Sequence, residues 1–350
     1  MAVITYHNVG IKAMTACVPS KVVYNRDLGF LISQEEIDKV INNIGIEEKR
    51  YADPDVCTSD LCYKAAKQLL KDNNIDLDSI DVLLFISQTP DYRIPSTAPI
   101  LQNRLGLSKS TACLDLSLAC SGYVYALSTA FAYVSMDGVN RVLLLDGDTF
   151  SKIVNPLDKV NVPLYGDAGT ATLIEKGNYK DSIFILNSDG AGEGAIKIPG
   201  GAFRNKLTPE SLVDTEREGG NIRNDLQVFM DGMDVFNFTM NVVPNGIKDI
   251  LKITNTNIED IDYLVFHQSN KFMLDFFVKK LKFDLDKVPY SIRKYGNTSS
   301  ASIPLTIVSE LEGKLREEKV IVMCGYGAGL SWGTARIVFN DCSISTIIEY

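Results

Sequence analysis

Short, unbroken apolar runs recur along this chain, each entered through a brief acidic lead and left through polar or small residues. SIDVLLFISQT (79–89) and DIDYLVFHQSN (260–270) share that plan at an offset of about 181 positions. RVLLLDGD (141–148) and KVIVMCGY (319–326) share it at about 178. Runs rich in Val, Ile and Leu without polar alternation predict strands covered on both faces, and helical patterns alternate with them, as in an α/β sheet. Between the members of each pair lies a segment that turns into a small-residue helix, LACSGYVYALSTAFAYV (118–134) and GNTSSASIPLTIVSEL (296–311). Two matches in the same order at nearly one offset predict two similar α/β halves, 1–178 and 179–350. A length of 350 residues, beyond the usual limit for one core, agrees with that division.

One region follows neither repeat. KIPGGAFRNKLTPESLVDTEREGGNIRND (197–225) is polar, glycine-rich and aperiodic. It predicts a surface excursion that covers something, with a plain solvated loop as the alternative.

Composition narrows the function classes. A chain 45% hydrophobic and 23% charged suits an ordinary soluble protein, and a net charge of -9 argues against nucleic acid or an anionic membrane as partner. No apolar run reaches the roughly 18 residues of a membrane span, and the first residues lack the basic start and apolar core of a signal peptide. Seven scattered cysteines make no disulfide framework. With no CxxC pair and only two histidines, a metal site is not expected. A reducing cytoplasm is the expected setting.

Ligand sites in such sheets lie beyond the carboxyl ends of strands, often where two halves meet. His267 stands at such an end, whereas His7 has no such context. Cys120 falls between an apolar strand and an amphipathic helix, so its sulfur is expected at a helix N-terminus, where the dipole favours thiolate. Its neighbours Ala119, Ser121 and Gly122 are small enough for a sharp turn. Asn297 occupies the equivalent turn of the second half, although Gly-Asn-Thr is also a good turn and helix cap. Cys17, Cys57, Cys62, Cys113 and Cys342 read as inert packing. CGYGAGLSWG (324–333) is not a dinucleotide loop: Leu330 replaces the third glycine, and only about 20 residues follow. A loop aiming backbone N–H groups at an oxyanion fits it better.

Six motifs in order now carry a resemblance: LDLSLACSGY, YGDAGTATLIE, IPGGAFR, HQSN, GNTSSASIP and GYGAGLSWG. Over nearly its whole length the chain resembles a β-ketoacyl-acyl-carrier-protein synthase III of the thiolase-like superfamily. The resemblance implies a five-layered αβαβα fold of duplicated halves, and a homodimer. It also implies an acyltransferase whose Cys120, His267 and Asn297 form the catalytic set. Cys120 would take an acyl group from acyl-coenzyme A or an acyl-carrier protein. His267 and Asn297 would hold the thioester oxygen of malonyl-carrier protein as carbon dioxide leaves, and backbone N–H groups of Cys120 and Ala328 would hold the second oxyanion. Such donors are worth roughly 3–4 kcal/mol each. No metal or redox cofactor is needed.

By the same resemblance Ile94, Gly200, Gly327 and Gly329 would shape the acyl pocket, with Ile94 reaching it from the partner subunit. Lys39, Asn43, Gln268, Asn270, Lys271, Lys279 and Lys280 would meet coenzyme A or the carrier protein. Lys39 and Asn43 stand where relatives clamp adenine with an aromatic and an arginine, and Phe272 stands where they dock the carrier with arginine. A specialised acyl or polyketide pathway therefore competes with initiation of fatty-acid synthesis. An acyltransferase to a hydroxyl or amine, and a non-catalytic carrier-binding subunit, are the other readings. Cys324 lies one residue before the second cysteine of a degradative thiolase and reads as packing.

Overall fold

A computed structural model describes residues 2–350. Its ten longer strands are β1 (Ala2–Tyr6), β2 (Val9–Val18), β3 (Val82–Ile86), β4 (Ala112–Leu116), β5 (Arg141–Thr149), β6 (Asp167–Lys176), β7 (Ser182–Ser188), β8 (Tyr263–Phe266), β9 (Lys319–Gly327) and β10 (Ser331–Phe339). They form two mixed sheets. In the first the order is β2-β6-β5-β3-β4, with β3 parallel to both β5 and β4. In the second it is β1-β7-β10-β9-β8, with β8 parallel to β9.

The unbroken apolar runs follow from helices on both faces of each sheet. Leu83, Phe85, Leu143 and Leu145 share a core with Leu61 and Leu69 of helix α2 (Thr58–Asp72) and Leu101 of α3 (Thr97–Leu105). The alternate residues Val82, Leu84, Ile86, Val142 and Leu144 turn the other way. They meet α4 (Gly122–Ser135), α7 (Ser302–Glu310) and Val265, Ile321 and Met323 of the second sheet. The far face of that sheet, Leu264, Phe266, Val322 and Cys324, packs on α5 (Gly232–Ile253) and α6 (Lys271–Leu281). Helices, sheet, helices, sheet, helices is the five-layered thiolase-like order. Each apolar side chain taken fully out of water contributes about 1.5–3 kcal/mol, so a strand with two apolar faces is held from both sides.

The chain ends trade places between the sheets. The turn 177–181 separates β6 from β7, yet β1 pairs with β7 in the second sheet. Two short C-terminal strands, Ser343–Ile344 and Ile348–Glu349, run parallel to β2 in the first. β1 and β2 are consecutive, and the chain changes sheets in the turn between them, where Asn8 takes φ 60.

A smaller apolar cluster sits at one end, built from Leu28, Phe150, Leu164, Tyr165 and Ile292 together with Ile37 of α1 (Gln34–Ile44). The segment 197–225 is a largely exposed excursion carrying a two-stranded hairpin, Thr215–Arg217 with Asn221–Arg223. Arg223 tethers it through a buried ion pair to Asp158 at 2.9 Å. Among the described residues no helix is long and apolar enough to cross a membrane.

Candidate active site

Cys120 lies in the turn between β4 and α4, two residues before the helix begins, and is 6% exposed. Glycines make the turn fit. A Cβ on Gly122 would come within 2.6 Å of Ile86 Cδ1 and 3.3 Å of Ser300 Cβ. The end of β9 crosses close above: a Cβ on Gly327 would lie 2.7 Å from Cys120 Cβ and 3.3 Å from its sulfur. Ser331 Oγ donates to Ala328 O at 2.8 Å, so Ser121 Oγ is left to donate to Ser331 Oγ at 2.6 Å. The 327–331 loop is thus tied to the turn that carries the thiol.

This proximity makes Gly327→Ala a sharp probe. The added methyl must displace Cys120 by about an ångström, and such misplacement costs on the order of 10²-fold in rate. Alkylation of Cys120 by iodoacetamide, followed by peptide mass spectrometry, is expected to slow accordingly; an unchanged rate would show that the loop gives way instead.

His267 follows directly on β8, and its N–H extends the strand pairing to Cys324 O at 2.9 Å. Its Nδ1 is 2.7 Å from Ser302 Oγ, and that oxygen already accepts from Gln268 N at 3.2 Å. The contact fits either tautomer; with the serine donating its proton to Nδ1, the ring proton sits on Nε2. The ring stands edge-on to Tyr326 at 5.2 Å, and Tyr326 OH donates to His267 O at 3.2 Å. Burial drives the imidazole pKa down to about 3, opposed by a bond to the Ser299 backbone. His267 is a neutral donor here.

Asn297 is clamped by backbone bonds, its N–H on Leu164 O at 2.9 Å and its carbonyl accepting from Gly166 N at 3.0 Å. Gly296 precedes it at φ +66, where a Cβ would meet Leu164 O at 2.8 Å. The side-chain Oδ1 accepts from Ser299 N at 2.9 Å, which turns the Nδ2 amide outward as a donor.

Ser299 is the residue that joins these groups, and sequence inspection missed it. Its N–H holds Asn297, its backbone meets His267, and its hydroxyl lies beside the Cys120 thiol. Only the small-residue run Asn-Thr-Ser-Ser hinted at it. The helix-end thiolate expected for Cys120 is not the resting form. Burial pushes the thiol up to about 12; the Ser299 hydroxyl opposes this, and the Asp148 and Asp146 carboxyls reinforce it. The sulfur is buried between two sheets, and that outweighs its place before a helix.

The peripheral expectations divide. Asn43, Asn270 and Phe272 do line one cleft, beside the start of α6 and three to five residues beyond His267 for the latter pair. Asn270 caps that helix by accepting from Met273 N at 2.9 Å. Gln268 does not reach any carrier surface. It is fully buried, donating to Phe266 O at 2.9 Å and accepting from the N–H groups of Ser291 and Ile292 at 3.2 and 3.3 Å. Lys280 gives one hydrogen bond to Met240 O at 2.9 Å and stays exposed. Lys39 pairs with Glu35 at 2.7 Å and Lys271 with Asp275, while Lys279 is exposed. Ile94 is 87% exposed on its loop. Gly200 sits at the base of the excursion, donating to Asp225 O at 2.7 Å, and Gly329 takes φ +141 in the loop that follows β9. Cys324 faces the α5–α6 layer and accepts from Thr334 Oγ1 at 3.6 Å, on the opposite side of the sheet from Met323 and the central helices.

A thiol, a neutral imidazole and a carboxamide meeting between two such sheets define a thiolase-like condensing enzyme. Family models described as 3-oxoacyl-[acyl-carrier-protein (ACP)] synthase III and its C-terminal part match residues 114–193 and 251–339. A putative 3-oxoacyl-[acyl-carrier-protein] synthase 3 of Campylobacter jejuni is 37% identical over 312 residues, 88% of this chain and 86% of that one. A β-ketoacyl-[acyl-carrier-protein] synthase III of Rhodopirellula baltica is 35% identical over 339 residues, 91% and 94% of the two chains. The crystal structure of a 3-oxoacyl-(acyl-carrier protein) synthase from Burkholderia xenovorans superposes with a TM-score of 0.94 at 38% identity, covering 100% of this chain and 99% of that one. The chain belongs to the 3-oxoacyl-ACP synthase III family.

Proposed function

We propose that this enzyme joins an acyl group to a malonyl unit by decarboxylative Claisen condensation, yielding a 3-oxoacyl-carrier protein. The observation that carries the reading is the convergence of Cys120, His267 and Asn297 on Ser299, with one nucleophile and two N–H donors at a single point. Cys120 attacks the acyl thioester and holds the acyl group, splitting a difficult reaction into two. Malonyl-carrier protein then binds, and its thioester oxygen meets His267 Nε2–H and Asn297 Nδ2–H as carbon dioxide leaves. The resulting carbanion attacks the acyl-cysteine, whose oxygen is held by the N–H groups of Cys120 and Ala328. Donors placed for charge that appears only in the transition state are worth about 2.7–4 kcal/mol each.

Burial of Gln268 and the pairing of Lys39 and Lys271 with acids leave a mouth in which Asn43, Asn270 and Phe272 outweigh cationic groups. That supports an acyl carrier protein or a coenzyme A donor held more by amide and apolar contacts than by charge. The exposed Ile94, and β4 as a half-exposed sheet edge with Leu114 at 41%, support a homodimer, and seven free cysteines support a reducing, cytoplasmic setting.

The decisive assay offers the enzyme malonyl-ACP with a panel of acyl-coenzyme A and acyl-ACP donors, and follows carbon dioxide and product mass together. Matching yields of carbon dioxide and 3-oxoacyl-ACP are the expected result. Acyl transfer to a hydroxyl or amine with malonyl-ACP intact would overturn it.

A further inference from the structure

Two buried polar groups behind Cys120 have no part in the steps above. Asp148, fully buried on β5, gathers four hydrogen bonds on Oδ1, from Ser87 Oγ at 3.0 Å, Gln88 N at 2.8 Å, Thr89 N at 3.1 Å and Thr89 Oγ1 at 3.0 Å. Its Oδ2 is buried without a partner. The Ser299 hydroxyl is also buried and unpaired. It lies near both the Cys120 thiol and the Asp148 carboxyl, favouring the charged form of each against burial, yet is aligned in a hydrogen bond with neither. Leaving such an atom unpaired costs about 1–3 kcal/mol, so two side by side call for a use.

The surroundings hold them in place. Ser299 has φ +54, a strained setting for a residue with a side chain, and Asn297 Oδ1 fixes its N–H. Asp146, two residues before Asp148 and so on the same strand face, accepts from Ser300 Oγ at 2.5 Å and pins the 299–301 turn to β5. The titratable groups around Asp148 are Cys120, Asp146 and, across the strand, Cys62, none of them cationic.

We propose that Ser299 and Asp148 form a proton path behind Cys120, storing the thiol proton on Asp148 between the two half-reactions. The proposal rests on the acyl-cysteine reading given above. In acylation the Cys120 sulfur bonds to the acyl carbon and the donor C–S bond breaks. Ser299 Oγ takes the thiol proton while its own passes to Asp148 Oδ2, and the departing thiolate is protonated by solvent. In condensation the malonyl carboxylate leaves as carbon dioxide, the carbon–carbon bond forms, and the acyl C–S bond to Cys120 breaks. The freed thiolate recovers its proton from Asp148 through Ser299. One solvent proton is consumed per turnover, and Asp148 ends ionised, as it began. Asp148 suits this work because burial raises it only to about 6, close to working pH, whereas His267 near 3 is a poor acceptor.

Ser299 and Asp148 are positioning and proton-holding groups that act through Cys120, so the test reads a pH profile. Single-turnover acylation is measured by intact mass across pH 5–9, with the donor that labels wild-type enzyme, in wild type, Ser299→Gly and Ser299→Ala. Glycine removes the hydroxyl and relieves the backbone; alanine removes it and keeps the strain. Both variants are expected to acylate about 10²-fold more slowly at neutral pH. Both should also lose the wild-type fall in rate below about pH 6, where Asp148 takes up a proton. Malonyl-ACP decarboxylation, followed in parallel, reports how well the Ser299 backbone still holds His267 and Asn297, and should fall much less than acylation. Wild-type rates and an intact acid limb in the variants would overturn the proposal. So would a loss confined to Ser299→Ala, or one shared equally by decarboxylation. A wild-type enzyme that no donor labels would instead overturn the acyl-cysteine reading itself.

Discussion

Cys120→Ala is expected to hold no acyl group from any thioester and to form no 3-oxoacyl product, a fall on the order of 10⁴–10⁶ in turnover, as for other enzymes stripped of their nucleophile. Intact-protein mass spectrometry gives the first readout and product mass the second. The other buried cysteines are poorly placed to substitute. Cys62 belongs to the α2 layer, Cys324 faces α5 and α6, and burial raises both thiols as it does that of Cys120. Malonyl-ACP decarboxylation should survive in the variant, because the two N–H donors are untouched. Cys120→Ser should behave nearly as badly, since the hydroxyl is a weaker nucleophile in the same dry turn. Product formation by Cys120→Ala would remove the acyl-cysteine from the mechanism.

His267→Ala and Asn297→Ala are expected to show the opposite pattern. Each should lower malonyl-ACP decarboxylation by about 10²–10³, the worth of one donor aimed at developing charge. Cys120 should still acylate, because neither side chain supplies its nucleophilic atom. The double variant should fall short of the product of the two losses, as groups serving one oxyanion are not independent. The pH dependence follows from the direction of the imidazole shift. Burial lowers His267 from 6.5 to about 3, so it stays neutral, with the Nε2 proton in place, throughout the ordinary working range. Carbon dioxide release should therefore show no limb near pH 6.5 that depends on His267. The same depressed value means that this residue's contribution to stability is complete above pH 6.5 and is lost as pH falls toward 3. An imidazole limb near neutrality would show that His267 works as a charged acid, and would sink its role as a neutral donor.

Much of this protein was determined by sequence alone. Strands β3, β5, β8 and β9 were legible because burial on both faces demands residue after residue of apolar side chains, and the helices between them because small residues must pass under neighbouring backbone. Cys120, His267 and Asn297 were legible as candidates for a related reason: each stands at a strand end or in a turn before a helix, where polar or small residues break an apolar run. Other features depended on distant parts of the chain meeting. Nothing near β1 says that it crosses to the second sheet to pair with β7. Nothing near Gln268 says that residues 291 and 292 will claim its amide, and nothing near Lys280 points to Met240 O. The charge state of Cys120 went the same way. Position before a helix, a local property, favours thiolate, but the two sheets that close over the sulfur exclude water and keep its proton on. Local pattern encodes which surfaces must be buried; which groups then share that dry space, and with what charge, is decided only when the chain has closed around them.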